Sequence, residues 1–317
     1  MSATTTTIEQ PRRAHGSRLL RLDERLSGYL YVAPFFVVFG IFGLFPLVYT
    51  AYVSLTDRNL LNPVTNFIGL HNYALLIHDS YFWNAVENTF GIWFLSTVPQ
   101  LLLALVIAHV LNTKLRARTF FRMAILLPQV TSLVAVALIF TQLFAHDYGF
   151  VNYALGSVGV HHIYWESGRL SSWVALSVMV MWRWTGYNAL IYLAAMQSIP
   201  EELYEAAAVD GARRFRQFIH VTVPMLRPTI LFTVVIATIG GLQLFTEPYE
   251  FEPIKHATGG SDRQYQTVAM YLYEKAFGSS QFDFGYAAAI AWCLFLLIGV
   301  ISLVNYLVVR RISSAEA

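Results

Sequence analysis

The chain has 317 residues, 56% of them hydrophobic and only 13% charged, which excludes an ordinary water-soluble domain. Its net charge of +2 says little, whereas the placement of the basic residues says more. The single cysteine, Cys293, sits in a late apolar run and rules out an intrachain disulfide or a cysteine-built metal site.

Residues 1–28 are polar and begin with a low-complexity Thr4–Thr7 run. Leu19, Leu22 and Leu26 fall at helical spacing beside Arg18, Arg21 and Arg25. That pattern predicts a short amphipathic helix on a membrane surface, basic side toward anionic headgroups. Six apolar runs follow, at about 29–55, 85–111, 120–144, 172–196, 228–251 and 285–309. Each reaches the roughly 20 residues a helix needs to cross the hydrocarbon core, and the first is too long for a signal-peptide core of about 7–15 residues. Pro34, Pro46, Pro99 and Pro128 lie inside these runs and predict kinks. The expected fold is an all-α membrane protein of six transmembrane helices, a single domain over 29–317 preceded by the 1–28 tail.

Fifteen lysines and arginines fall on the side of the tail, the second and fourth connections and the C-terminus, against five on the other side. By the positive-inside rule both termini and the loop 197–227 are cytoplasmic, in a multi-pass cell-membrane protein. The outer connections carry Tyr73, Tyr81, Phe82, Trp83, Tyr148, Tyr153, Tyr164, Trp165, Tyr265, Tyr271 and Tyr273. These rings suit an interfacial belt, or a cap that a partner touches, with the belt reading favoured.

The 197–227 loop is too structured for a mere connector. Ser198 and Glu201 have capping-box spacing, and Pro200 stands where a first helical turn would start. Glu201, Glu202 and Glu205 crowd the N-terminal end, and Asp210-Gly211 is a helix stop. A second helix is expected over 212–223, after which Pro224 and Pro228 turn the chain back. Ala206, Ala207, Ala208 and Gly211 leave a face with almost no bulk, flanked by Leu203 and Tyr204, with Glu205 and Asp210 as fixed acceptors. Such a face fits either docking of another protein or packing on the chain's own bundle.

Glu205-Ala206-Ala207, Gly211 and Val221-Thr222-Val223-Pro224 resemble the cytoplasmic signature of binding-protein-dependent ABC importer permeases. Phe215, Phe218, the Trp182–Gly186 segment and Gln197-Ser198-Ile199-Pro200 extend the resemblance toward sugar and glycerol-phosphate permeases of the maltose-transporter group. Val221 and Val223 stand where Ile and Leu are commoner. The resemblance implies a type I importer permease with a coupling helix between helices 4 and 5. It implies a second similar permease, two ABC ATPases each holding one such loop, and an external solute-binding protein that delivers a carbohydrate. The coupling residues would be Leu203, Tyr204, Glu205, Ala206, Ala207, Ala208, Asp210 and Gly211. None of Lys114, Lys255 and Lys275 follows a glycine-rich turn, so the chain has no P-loop. No cofactor is expected on this chain; ATP and Mg²⁺ belong to the partner ATPase. No catalytic constellation is present, and no nucleic-acid partner is expected.

Polar groups inside spans are costly and prompt a functional reading. In the fourth span Trp184, Tyr187, Asn188 and Tyr192 can share a face, and rings beside an amide suit a sugar. In the fifth, Gly240-Gly241 would loosen the helix near Gln243, Thr246 and Glu247. Gln129, Thr131, Ser132 and Gln142 are weaker candidates. Each set also fits plain helix packing. Arg183 fits a structural pairing with an acidic group or backbone carbonyls better than a substrate contact. An ion-coupled secondary transporter would need a chain of ionisable groups, for which Glu87, His109 and Glu247 are scattered candidates.

Overall fold

A computed structural model describes residues 18–62, 64–113, 116–252, 256–278 and 282–314. The described residues are helical, without named strands. The chain divides into two compact units, Met1–Tyr52 and Val53–Ala317.

In the first unit α1 (Arg18–Phe39) passes through a π turn, Gly40–Leu44, into α2 (Phe45–Ser54), whose last two residues belong to the second unit. The stretch Tyr29–Ser54 is long and apolar enough to span a bilayer. The helix expected as a separate surface element is therefore the start of α1: no break falls near Gly28, which lies inside one continuous helix. The π turn ends two residues before Pro46, and the Phe45 amide reaches the Gly40 carbonyl five residues back. A proline ring crowds the carbonyl four residues before it, and the widened turn takes up that crowding.

The second unit continues with α3 (His71–Ile77), α4 (Ser80–Asn112), α5 (Arg118–Val130), α6 (Leu133–Leu143) and α7 (Phe150–Ser157). Next come α8 (Arg169–Met196), α9 (Glu201–Val209), α10 (Arg214–Gln217), a π turn Phe218–Thr222 and α11 (Val223–Met225). It ends with α12 (Arg227–Leu242), α13 (Thr246–Phe251), α14 (Val268–Phe277) and α15 (Phe284–Ser314). The helices Ser80–Asn112 and Phe284–Leu307 are further candidate spans; two bent pairs raise the total from three to five if each pair is one span. The 28-residue α8 lies outside that set, although its length suffices, because Ser, Trp, Arg, Tyr and Asn interrupt its apolar residues.

The third apolar run is not one kinked helix. It breaks by 92° between α5 and α6, where Thr131 is extended and Ser132 leaves the helical conformation with ψ 130°. Pro128 lies inside α5, one turn before the break, and the Thr131 hydroxyl donates to the Leu127 carbonyl. The fifth run likewise ends at Leu242, and α13 is a separate short helix.

α8 packs along α4, with α12 against α4, α5 against α8, and α15 against α12 and α14. One core cluster gathers Ile92, Phe140, Leu176, Met179, Phe251 and Tyr265, and another Leu76, Leu242, Tyr271 and Ile290. A third, near the α9 end, contains Ala104, Ala108, Leu111, Tyr192, Met196 and Leu226.

At the opposite end the α13–α14 connection is bolted down. Asn88 Nδ2 donates to the carbonyls of Arg263 (2.8 Å) and Gln266 (3.0 Å), and Trp173 Nε1 donates to that of Gln264 (3.1 Å). The Arg263 guanidinium pairs with Glu274 at 2.5 Å. The loop aromatics divide accordingly: Tyr265, Tyr271 and Trp165 are buried in a folded cap, whereas Tyr81, Trp83, Tyr148, Tyr153 and Tyr164 are exposed.

Candidate functional site

Two places gather the residues singled out from sequence. The first is α9 together with the turn and short helices that lead from it into α12. Pro200, not Ser198, is the N-cap, and no side chain caps the helix. The Ser198 hydroxyl donates instead to the Ala195 carbonyl, 2.8 Å away in the last turn of α8, which the Ser198 amide also bonds at 3.2 Å. The capping box therefore does not form; Glu201 and Glu202 in the first turn still oppose the helix dipole.

The stop at Asp210-Gly211 does form. Gly211 has φ +77°, its amide bonds the Ala208 carbonyl at 3.0 Å, and the Ala212 amide bonds that of Ala207 at 2.9 Å. These two bonds make a Schellman ending. The second helix begins at Arg214 rather than Ala212, and Pro224 lies within it, two residues past the π turn as Pro46 is. The chain turns by 69° between Met225 and Arg227.

Leu203, Glu205, Ala206, Ala208, Asp210 and Gly211 are exposed and Ala207 is half-buried. Tyr204 is turned inward: its hydroxyl meets Thr222 Oγ1 at 3.0 Å, and its carbonyl accepts from Gln217 Nε2 at 3.3 Å. It ties α9 to the next helix and is not part of the outer face. Val209 and Phe215, 88% and 74% exposed, supply the apolar bulk there instead.

The second place is a cavity of about 230 Å³ among α4, α8 and α12. Trp184, Tyr187 and Asn188 line it from α8, Gly240 and Gly241 from α12, and Thr97 and Gln100 from α4. The Trp184 and Tyr187 rings meet edge to face at 6.1 Å, and Asn188 Nδ2 donates to the Trp184 carbonyl at 3.2 Å. Sequence reasoning missed Thr97 and Gln100, although a polar Ser96, Thr97 and Gln100 around Pro99 in an apolar run was a visible signal.

Tyr192 does not line this cavity. It is buried in the third core cluster, its hydroxyl 2.6 Å from Thr233 Oγ1 on α12. Gln243 ends α12 and borders a separate, mostly apolar pocket with Phe245, Leu272 and Tyr273. Thr246 starts α13, half-buried. Glu247 is buried, its carboxylate 3.9 Å from the Arg183 guanidinium. The glycine pair does not loosen α12, which runs through it; a β-carbon on Gly241 would lie 2.5 Å from Trp93 Cδ1, so this glycine lets α4 approach. Of the ion-relay candidates, Glu87 pairs with Arg169 at 2.9 Å and His109 packs on the Phe218 ring.

Long apolar helices around a small, mostly apolar cavity that holds the amides of Gln100 and Asn188, with an exposed short helix at one end, define a multi-pass membrane protein. Residues 100–314 match the family of inner membrane components of binding-protein-dependent transport systems, and the chain belongs to that family. It is 38% identical to the lactose transport system permease protein LacF of Rhizobium radiobacter, over 90% of this chain and 95% of that one. It is 34% identical to the arabinooligosaccharides transport system permease protein AraP of Halalkalibacterium halodurans, over 89% and 87%. Its fold is similar to that of a chain in a bacterial ABC transporter that imports the acidic polysaccharide alginate, with a TM-score of 0.76, 23% identity, and coverage of 93% and 99%. The chain is thus a permease subunit of an ABC importer and not an enzyme.

Proposed function

We propose that this permease conducts a carbohydrate, delivered by an external solute-binding protein, through the cavity at Trp184, Tyr187 and Asn188. The observation that carries the reading is the lining itself: two aromatic rings and the amides of Asn188 and Gln100 face one small space. Ring faces stack on sugar C–H groups while amides take the hydroxyls. The names of the lactose and arabinooligosaccharide relatives support the same substrate class. Gln243, Thr246 and Glu247 extend the route past the end of α12, and Tyr192 braces it.

In this reading the six spans are Tyr29–Ser54, α4, α5 with α6, α8, α10 through α12, and α15, within one permease domain over 29–317 behind the 1–28 tail. Both termini and the loop 197–227 are cytoplasmic. α9 is the coupling helix, presenting Leu203, Glu205, Ala206, Ala207, Ala208, Asp210 and Gly211 to one of two ATPases, with Tyr204 holding it from behind. A second permease completes the path. This chain binds no cofactor; ATP and Mg²⁺ are consumed by the ATPases.

The test is uptake by proteoliposomes holding the assembled importer, with the binding protein outside and ATP inside. ATP-dependent accumulation of a lactose- or arabinose-type saccharide supports the reading. Uptake by this chain alone, without ATPase or ATP, overturns it.

A further inference from the structure

The side chains that give the cavity its polar lining are uncharged: Thr97, Gln100, Trp184, Tyr187 and Asn188. One cation stands beside Trp184, just outside the lining itself. The Arg183 guanidinium lies 5.7 Å from the centre of the Trp184 ring, and its side chain is only 16% exposed. Its Nε is buried with no hydrogen-bond partner among the described residues. The Glu247 carboxylate, 6% exposed, approaches to 3.9 Å, which is beyond hydrogen-bonding distance. Glu247 thus offsets the charge of Arg183 without occupying its donors.

In a low-dielectric path, an arginine with free donors and no counter-charge would attract a carboxylate or sulfonate. The same arginine beside a fixed carboxylate presents no net charge, and an anionic ligand reaching for it meets repulsion from that carboxylate. We infer that Glu247 is a specificity-determining residue: by neutralising Arg183 it makes the path selective for uncharged saccharides over sugars bearing a carboxylate or sulfonate. This rests on the cavity being the sugar path.

The experiment uses the assembled importer in proteoliposomes and pairs of sugars, each neutral saccharide with its uronate. Occupancy of the binding protein is measured separately, and uptake is compared at equal occupancy, so only the permease step is read. Wild type is expected to carry the neutral sugar about tenfold faster or more, and Glu247→Gln to lower that ratio roughly tenfold. Glu247→Asp keeps the preference. So does the double variant Arg183→Met with Glu247→Gln, which leaves no lone buried charge and guards against misfolding of the single variant. Equal carriage of both sugars by wild type overturns the inference, as does an unchanged ratio in folded Glu247→Gln. Uptake of no saccharide at all instead overturns the sugar-path reading beneath it.

Discussion

The Tyr286 hydroxyl donates to Asp79 Oδ2 at 2.6 Å, joining the first turn of α15 to the N-cap of α4. The Tyr271 hydroxyl donates to the same oxygen, and Asp79 Oδ1 accepts the Tyr81 amide at 2.9 Å. One carboxylate therefore fastens α4, α14 and α15 together. Burial alone would raise its pKa; the bonds from Tyr271 and Tyr286 and from the amides of Tyr81 and Phe82 outweigh burial and hold it below the ordinary value. A carboxyl depressed in the folded state stabilises fully above its unfolded pKa, about 4, and that stability is lost as pH falls through the lower folded value. The expected outcome is a melting temperature that drops on acidification below about pH 4 more steeply in wild type than in Asp79→Asn. At neutral pH, Asp79→Asn should cost about 1–2 kcal/mol, kept modest by partial exposure. Thermal melts of the solubilised importer across pH check both.

Gly211 has φ +77°, and a β-carbon there would meet nothing within 4 Å. Any cost of substitution is therefore backbone strain, roughly 1–2 kcal/mol for a residue other than Gly, Asn or Asp. Gly211→Val is expected to fray the end of α9 and weaken co-purification with the ATPase, while the melting temperature of the bundle stays unchanged. Gly211→Asn should retain the ATPase. Equal loss from both variants would show that the conformation at this residue is not what matters.

Tyr192 and Tyr187 lie one helical turn or so apart on α8 but should respond differently. Tyr192→Phe removes the bond to Thr233, a loss of about 1 kcal/mol in stability, and leaves the apparent KM for the sugar unaltered. Tyr187→Ala removes a ring from the cavity wall and is expected to raise KM several-fold with little change in melting temperature, because that ring is 41% exposed. Uptake kinetics and melts on the same preparations separate the two.

The adjacent glycines of α12 give a similar contrast. Gly240 borders the cavity with open space around it, whereas Gly241 abuts Trp93. Gly240→Ala should fold normally and slow uptake by narrowing the path. Gly241→Leu should destabilise by about 1–3 kcal/mol through overpacking against α4. A fluorescence-monitored melt reads the second effect and sugar uptake the first.

How much was legible in the sequence differs from place to place. Gly211 was legible because few residues but glycine enter its conformation, and the signal is local. Ser198 misled because two local partners competed for its hydroxyl, and the α8 carbonyl won. The 92° break at Thr131 was hidden because the apolar pattern continues across it, and Pro128 drew attention one turn too early. Trp184, Tyr187 and Asn188 could be grouped by helical spacing, but the same spacing admitted Tyr192, which faces α12. The joining of Arg183 to Glu247 depends on where α13 folds back onto α8, and no local pattern encodes that.

The two π turns each end two residues short of a proline, at Pro46 and at Pro224. Each behaves as one surplus residue in a helical count, and one residue is about 100° of rotation. The turn Phe218–Thr222 therefore sets the phase of α10 against α11. Arg214, Phe215 and Arg216 point where they do by arithmetic along the backbone as much as by the chemistry of their side chains. Deleting a single residue from this turn would leave every flanking side chain in place in the sequence and swing that whole group about a quarter-turn around the axis.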